Sequence, residues 1–319
     1  MTDADPVGHG GRSPASELTG IVVAIFGPTA SGKSAVAEAL TTQILAEVVS
    51  ADAMQAYRGL PILTNQPEQP TRLVGIWPLD HEGSVGEYQR LAHAAVDDVL
   101  AAGRIPVVAG GTGLYLRAAL AELDLPPVPP RGARGRWERL YEESGADAAF
   151  AALAERDPAA AAAVHRNDRR RVVRALELAD AGATLAPETS RLWGEDTRRA
   201  TVIFGLEVPA ETLNRRIEER TRKMVERGVE DEVARALAQP LSTTARKVIG
   251  LEDFASLPEK EAITAVALKT RRYAAYQRKW LRRLPGVVSV RSDRPPDAVA
   301  DEILEVARAR QRLPARRAG

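Results

Sequence analysis

The sequence predicts an α/β protein: a parallel sheet flanked by helices, with an all-helical insertion domain. Short apolar runs rich in β-branched residues alternate with longer segments of helical periodicity, which is typical of a parallel sheet. A glycine-rich loop stands between the first of these runs and the first helix. The stretch from about 123 to 200 carries no strand signal and is rich in alanine and arginine, so we expect it to be helical.

The apolar runs define five strands. They are Ile21–Phe26, Ala46–Ser50, Ile105–Ala109, Thr201–Glu207 and Val287–Arg291. A helix is predicted over Gly86–Ala102, with Gly103 at its C-terminal end. We expect a catalytic core from residues 20–122 and 200–307, an insertion at 123–199, and tails at 1–19 (disordered) and 308–319 (basic and frayed).

Composition limits the possible classes of protein. The 319 residues suffice for two compact units, and the formal net charge of +1 indicates nucleic-acid binding only if a local basic surface exists. The chain has no cysteine, which excludes disulfides and thiolate metal sites. It has no apolar run long enough to span a bilayer, and residues 1–19 lack the apolar core of a signal peptide. We expect a cytoplasmic monomer that does not bind membranes.

A phosphate-binding loop, or P-loop, follows the first predicted strand. It consists of Gly27, Pro28, Thr29, Ala30, Ser31, Gly32, Lys33 and Ser34. In this motif backbone N–H groups surround phosphate oxygens, the lysine reaches the outer phosphates, and the serine can hold Mg²⁺. A glycine turn that merely contains a lysine is the alternative. The full spacing, with a strand before it and a helix after it, favours binding of a di- or triphosphate.

Two further polar loops follow the second and third predicted strands. Asp52 comes directly after one strand, where it could hold Mg²⁺ through water, accept a proton, or only cap the next turn. Thr112 stands among three glycines after the other strand, where its hydroxyl could bond a phosphate or a base. Because the carboxyl ends of parallel strands meet at one edge, we expect both residues beside the P-loop.

The insertion carries a dense group of arginines, with Asp168 the only acid among them. Its members are Arg166, Arg169, Arg170, Arg171 and Arg174, which begin a helix predicted over 171–179. Such density is typical of a surface that follows a phosphate backbone. The alternative is a solvated face paired with Glu177 and Asp180. Three more arginines, at 131, 134 and 136, precede Trp137, which could stack on a base but is expected to pack against helices. His165 has no metal-ligand partner and is expected to bond at a helix start.

Several of these motifs, in this order, resemble the tRNA dimethylallyltransferases. The matching segments are Gly27–Ser34, Ser50–Arg58, Gly110–Tyr115, His165–Asp168, Arg171–Glu177, Val248–Gly250, Thr270–Ala274 and Gln277–Trp280. The resemblance implies a P-loop-kinase-like core that binds dimethylallyl diphosphate. It implies transfer of the dimethylallyl group to N6 of adenosine 37 in tRNA, with release of diphosphate.

The resemblance also implies roles for particular residues. It assigns catalysis to Asp52, as the base, and to Thr112 and Arg220, near the diphosphate; Mg²⁺ is the implied cofactor, on Ser34. An ordinary solvated charge is the alternative for Arg220. Together with the cluster of arginines, the resemblance implies a set of residues that contact the tRNA anticodon stem-loop. They are Asp52, Ala53, Met54, Gln55, Thr112, Arg134, Arg170, Arg171, Val172, Val173, Arg174, Lys247, Val248, Ile249 and Gly250.

Departures from the family pattern concern the acceptor more than the donor. Residues 63–67, 75–81 and 251–253 differ from the usual motifs, whereas the P-loop is intact. Two alternative functions therefore stay open. A free adenine nucleotide could be the acceptor, although a small acceptor needs no arginine-rich insertion. A P-loop kinase would need a base pocket and arginines over ATP, which the sequence does not reveal.

Overall fold

The chain forms two compact units. The computed structural model describes residues 20–127, 129–130, 132–185 and 191–312. One unit comprises the described residues up to Glu122 and from Glu195 onward, and the other comprises Leu123–Gly194. The predicted tail at 1–19, Arg131, and residues 313–319 lie outside the described residues.

The first unit contains a parallel sheet of six strands in the order β3-β2-β4-β1-β5-β6. The strands are β1 Val22–Phe26, β2 Ala46–Ser50, β3 Thr71–Arg72, β4 Ile105–Gly110, β5 Thr201–Glu207 and β6 Val288–Arg291. All five residues of β1 are buried, because this strand lies between β4 and β5 with helices over the sheet. The loops that follow β1, β2 and β4 therefore meet at one edge.

Eleven α-helices lie within the described residues. They are α1 Lys33–Gln43, α2 Val85–Ala101, α3 Gly113–Leu120, α4 Ala133–Arg156 (interrupted at Gly145), α5 Pro158–Ala163, α6 Arg169–Asp180, α7 Ala210–Glu226, α8 Val229–Leu237, α9 Leu251–Ser256, α10 Glu259–Leu281 and α11 Pro296–Arg312. In the first unit, α1 and α11 share an apolar core with β1. Helix α7 packs against α10 through Leu213, Ile217, Ala267 and Ala274, which fixes both helices beside the P-loop.

The predicted strands match the observed ones to within one residue at each end. Strand β3 was not predicted, because two residues on a sheet edge give no periodic signal. The frayed tail predicted from residue 308 was wrong up to Arg312, since α11 continues to that residue. Its apolar positions, Val299, Ile303, Leu304 and Ala307, are buried against the sheet core and stabilise the helix.

Within its described residues, the second unit contains α4, α5, α6 and a short 3-10 helix at Arg191–Trp193, and no strand. Asp168 caps α6 by accepting a hydrogen bond at Oδ1 from Arg171 N (3.1 Å), so the helix begins two residues earlier than predicted. The unit ends at Gly194, whereas the predicted insertion extends to residue 199. Arg198 and Arg199 belong to the first unit instead, because both form ion pairs with Asp97 on α2.

None of the helices in the described ranges is long and apolar enough to cross a membrane.

Candidate functional site

The P-loop joins β1 to α1, as the sequence predicts. Gly32, with φ +93°, precedes Lys33, the first residue of the helix. The Lys33 Nζ donates to Pro28 O (2.8 Å), and Arg220 Nη1 on α7 donates to Thr29 Oγ1 (2.7 Å). Two cationic side chains from different helices therefore lie on one short loop.

Burial disfavours the charged forms of both side chains. It lowers the pKa of Lys33 to about 8, against the opposing charge of Asp52, and it also lowers the pKa of Arg220. Arg220 Nε is buried without a hydrogen-bond partner among the described residues. A buried donor of this kind costs free energy, which an anion on the loop would offset. Arg220 is thus not the solvated helix charge that the sequence left as an alternative.

Asp52 lies at the C-terminal end of β2, in a cleft of about 480 Å³ that it shares with Lys33, Ser34 and Arg220. Its carboxylate Oδ1 accepts a hydrogen bond from Met54 N (3.0 Å). The side chain therefore caps the turn, as one alternative proposed, and also faces the P-loop. The half-buried carboxylate remains available to a ligand in the cleft.

The glycines around Thr112 are needed for packing against the protein itself. A Cβ atom on Gly110 would lie 2.1 Å from Ala51 O, and one on Gly111 would lie 2.3 Å from Gln277 Nε2. Atoms of the protein, rather than a ligand, therefore fill the space beside these two glycines. Thr112 Oγ1 lies 3.4 Å from Ala53 N and 3.4 Å from the Tyr273 hydroxyl, so it connects two predicted site loops.

Three residues beside the P-loop were missed as site residues. Gln277 bonds both the P-loop and the loop of Thr112, and Tyr273 lines the cleft. Arg216 also lines the cleft, with Nη1 3.5 Å from Ala30 O. Burial raises the pKa of Tyr273 to about 12, with the Asp52 charge acting in the same direction, so this hydroxyl stays protonated near neutral pH. Helical spacing could have identified them. Arg216 stands four residues before Arg220, and Tyr273 stands four residues before Gln277, so each pair lies on one face of a helix.

The predicted tRNA contacts near Asp52 differ in accessibility. The Gln55 side-chain amide accepts from Ser50 Oγ (3.0 Å) and donates to Asn65 O (2.9 Å), so it already has protein partners. Ala53 and Val248 are buried. Met54, Lys247 and Ile249 are at least partly accessible, and Gly250 is the N-cap residue of α9.

In the second unit, carboxylates pair with most of the arginine cluster. Arg166 pairs with Asp147, Arg169 pairs with Glu142, and the Arg174 Nη1 lies 3.3 Å from Glu177 Oε2. Arg134 is 3.0 Å from Glu138 and 4.0 Å from Glu177. Arg170 and Arg171 are exposed and form no ion pair within the described part of the chain. These two guanidinium groups are the members that a phosphate can reach without displacing a carboxylate.

Three other residues of this unit are packing residues. Val172 and Val173, predicted to contact tRNA, are buried in its apolar core, so their side chains cannot meet a ligand at the surface. Trp137 is buried in the same core and donates from Nε1 to Asp180 Oδ2 (2.6 Å), which makes it a packing residue rather than an exposed stacking platform. His165 Nδ1 accepts a hydrogen bond from Asn167 N (3.2 Å) near the start of α6.

Oxygen donors for Mg²⁺ exist in the cleft. Ser34 and Asp52 both line it. The described residues include no group of three or more His, Asp or Glu side chains that could hold a metal by themselves. A serine and a carboxylate fit Mg²⁺, because this ion typically binds one or two protein oxygens together with water and substrate phosphates.

Comparisons with family models and curated proteins show which family this chain belongs to. The family model described as IPP transferase matches residues 55–284, and a model described as isopentenyl transferase matches residues 20–72. A tRNA dimethylallyltransferase of Corynebacterium jeikeium is 37% identical over 298 residues, covering 89% of this chain and 96% of that protein. One of Streptomyces coelicolor is 41% identical, covering 83% of this chain and 88% of that protein.

Solved structures of enzymes from this family also resemble this chain. The full-length tRNA isopentenylpyrophosphate transferase of Bacillus halodurans is 28% identical with a TM-score of 0.63, covering 92% of this chain and all (100%) of that one. A eukaryotic dimethylallyltransferase, described as acting on tRNA, is 25% identical with a TM-score of 0.71, covering 86% of this chain and 74% of that one.

Proposed function

Because this chain belongs to the IPP transferase family, we propose that it transfers the dimethylallyl group of dimethylallyl diphosphate to N6 of adenosine 37 in tRNA. The observation that carries the proposal is the cleft in which Lys33 and Arg220 face Asp52. Two cations suit a diphosphate leaving group, and one carboxylate suits an amine that must lose a proton. The proposed tRNA substrate supports the expected cytoplasmic location.

The chemistry follows from the charges in the cleft. As N6 forms its bond to the first carbon of the allyl group, the bond from that carbon to the diphosphate oxygen breaks. Diphosphate leaves with the electron pair, and Lys33, Arg220 and the backbone N–H groups of the P-loop stabilise the negative charge. The N6 proton passes to the Asp52 carboxylate. That proton transfer matters because the lone pair of an exocyclic amine is delocalised into the ring, which makes the amine a poor nucleophile.

In this proposal Ser34 would hold Mg²⁺, which leaves the Asp52 carboxylate free to accept the proton. When bound, the ion neutralises negative charge on the diphosphate. Thr112 lies between the backbone beside Asp52 and the Tyr273 hydroxyl, which places its own hydroxyl at the border of the donor and acceptor sides. The target adenine must leave the anticodon-loop stack to reach Asp52, as in other enzymes that modify a base.

The proposed function is tested by incubating the protein with dimethylallyl diphosphate and Mg²⁺ and either tRNA or AMP. Nucleoside mass analysis of each acceptor then identifies the product. We expect N6-dimethylallyl adenosine in tRNA and no reaction with AMP. Efficient modification of AMP alone would favour a free-nucleotide enzyme, and transfer of the γ-phosphate of ATP would favour a kinase.

The lowered pKa of Lys33 predicts how donor use depends on pH. In the free enzyme the ammonium loses its proton as the pH rises through about 8, and the neutral amine no longer attracts diphosphate. We expect kcat/KM for dimethylallyl diphosphate to fall above pH 8, by up to about tenfold per pH unit. Lys33→Arg keeps its charge throughout this range and should lack the decline. An equal decline in this variant would show that another group titrates.

The pairing pattern in the second unit predicts which arginines bind tRNA phosphates. Replacing both Arg170 and Arg171 by alanine should weaken tRNA binding and reduce the slope of log Kd against log salt by about 0.7 to 0.9 for each lost contact. The matched control replaces both Arg166 and Arg169 by alanine. These two arginines already pair with carboxylates, so this variant should change the slope less. Filter binding of tRNA at several NaCl concentrations measures both slopes. Equal slopes for the parent and the Arg170/Arg171 variant would remove this surface from the proposed interface.

A further inference from the structure

Gln277 connects two loops that the sheet itself leaves unconnected. The pairing of β1 with β4 ends at Phe26 and Gly110, and the P-loop and the Thr112 loop continue from those two residues. Beyond that point Gln277 Oε1 accepts a hydrogen bond from Thr29 N (2.7 Å), and its Nε2 donates one to Gly111 O (2.8 Å). One side chain from α10 thus bonds the backbone of both loops.

The contact is buried, and both ends of the amide take part in it. Gln277 is only 2% exposed, and both ends of its amide have a backbone partner at good distance. A Cβ atom on Gly111 would lie 2.3 Å from its Nε2, so the amide packs closely against this loop. The neighbouring residues on the same face of α10 act in the same way. Tyr273 meets the Thr112 hydroxyl, and Trp280 packs against Gly113, where a Cβ atom would lie 2.2 Å from its ring.

The two loops carry different parts of the proposed chemistry. Thr29, on the P-loop, bonds Arg220, one of the two cations that would hold the diphosphate. Gly111 precedes Thr112, which lies beside the backbone that follows Asp52. The distance between the loops therefore sets the distance between the leaving group and the groups that face the acceptor.

We propose that Gln277 is a positioning residue for prenyl transfer, which fixes the P-loop relative to Thr112 so that the allylic carbon and the acceptor amine meet in line. The inference rests on the proposed function. Gln277 does not itself need to touch either substrate. Its role is geometric, and an error of about 1 Å in such an arrangement can cost about 100-fold in rate.

Two substitutions separate this role from general stability. Gln277→Met keeps the volume of the side chain but removes both hydrogen bonds. Gln277→Asn keeps the amide but is one methylene too short to reach both loops. We expect either variant to lower kcat by about 10- to 100-fold and to change the KM for tRNA by less than about threefold. Gln239→Met, at an exposed glutamine after α8, is the matched control and should behave as the parent.

A double-mutant cycle with Thr112→Ala tests whether Gln277 affects kcat through the position of Thr112. If Gln277 acts by placing Thr112, Gln277→Met should lower kcat much less in the Thr112→Ala background than in the parent. A purely structural role predicts the same fold-loss in both backgrounds, together with a matching loss of thermal stability. Parental kcat in both Gln277 variants, or equal losses in the two backgrounds, would overturn the inference. Lack of prenyl transfer by the parent chain would overturn the proposed function, and the inference with it.

Discussion

Asp52→Asn is expected to lower kcat for prenyl transfer by about two to four orders of magnitude while diphosphate binding stays close to the parental value. The substitution is informative because Asp52 has two visible roles. Its Oδ1 caps the turn through Met54 N, and its carboxylate faces Lys33 and Arg220 across the cleft. Asparagine keeps an oxygen for the cap but cannot accept a proton at neutral pH.

The control is Asp52→Ala, which removes both the cap and the base. Single-turnover rates with saturating dimethylallyl diphosphate and tRNA compare the two variants, and melting temperatures report the cap. We expect the two variants to be similarly slow, with alanine the less stable by about 1 kcal/mol. Near-parental kcat in Asp52→Asn would reduce Asp52 to a capping residue.

Lys33→Met is expected to lower kcat/KM for dimethylallyl diphosphate by about 100- to 1,000-fold, because the buried ammonium stabilises charge that grows on the leaving diphosphate. The affinity for tRNA should stay within about twofold, since a P-loop lysine meets only the diphosphate. Titration with diphosphate and steady-state kinetics with each substrate varied in turn measure these quantities.

A matched lysine controls for the loss of one positive charge. Lys269 on α10 is exposed and pairs with Asp253 (2.8 Å), and it does not line the donor cleft. Lys269→Met should therefore leave kcat/KM for the donor near its parental value. If the two variants lost donor efficiency equally, the effect would come from net charge rather than from the P-loop.

The parts of this protein that follow from local sequence rules were predictable. The strand, loop and helix around Lys33 have fixed spacing and clear periodicity, and β1 and α1 lie where the pattern predicts them. One topological rule, which the parallel sheet obeys, predicted Asp52 and Thr112 beside the P-loop. Asp52 lines the cleft with the P-loop, and Thr112 Oγ1 lies 3.4 Å from Ala53 N.

The residues that were missed depend on contacts across long stretches of chain. Gln277 is 248 residues from Thr29 and 166 residues from Gly111, so no local pattern connects them. The roles of Val172 and Val173 were misjudged for a related reason. Their burial depends on the packing of α6 against α4, whereas the sequence shows only that they stand among arginines.

The packing of α10 against the Thr112 loop has a consequence for how this family can evolve. A side chain at position 111 would overlap the amide of Gln277, so any enlargement there requires a smaller residue at position 277. The same exclusion holds for Gly113 and Trp280. A substitution of only one member of either pair would therefore disturb the packing. Relatives that keep this chemistry should therefore retain both members of each pair or replace them together.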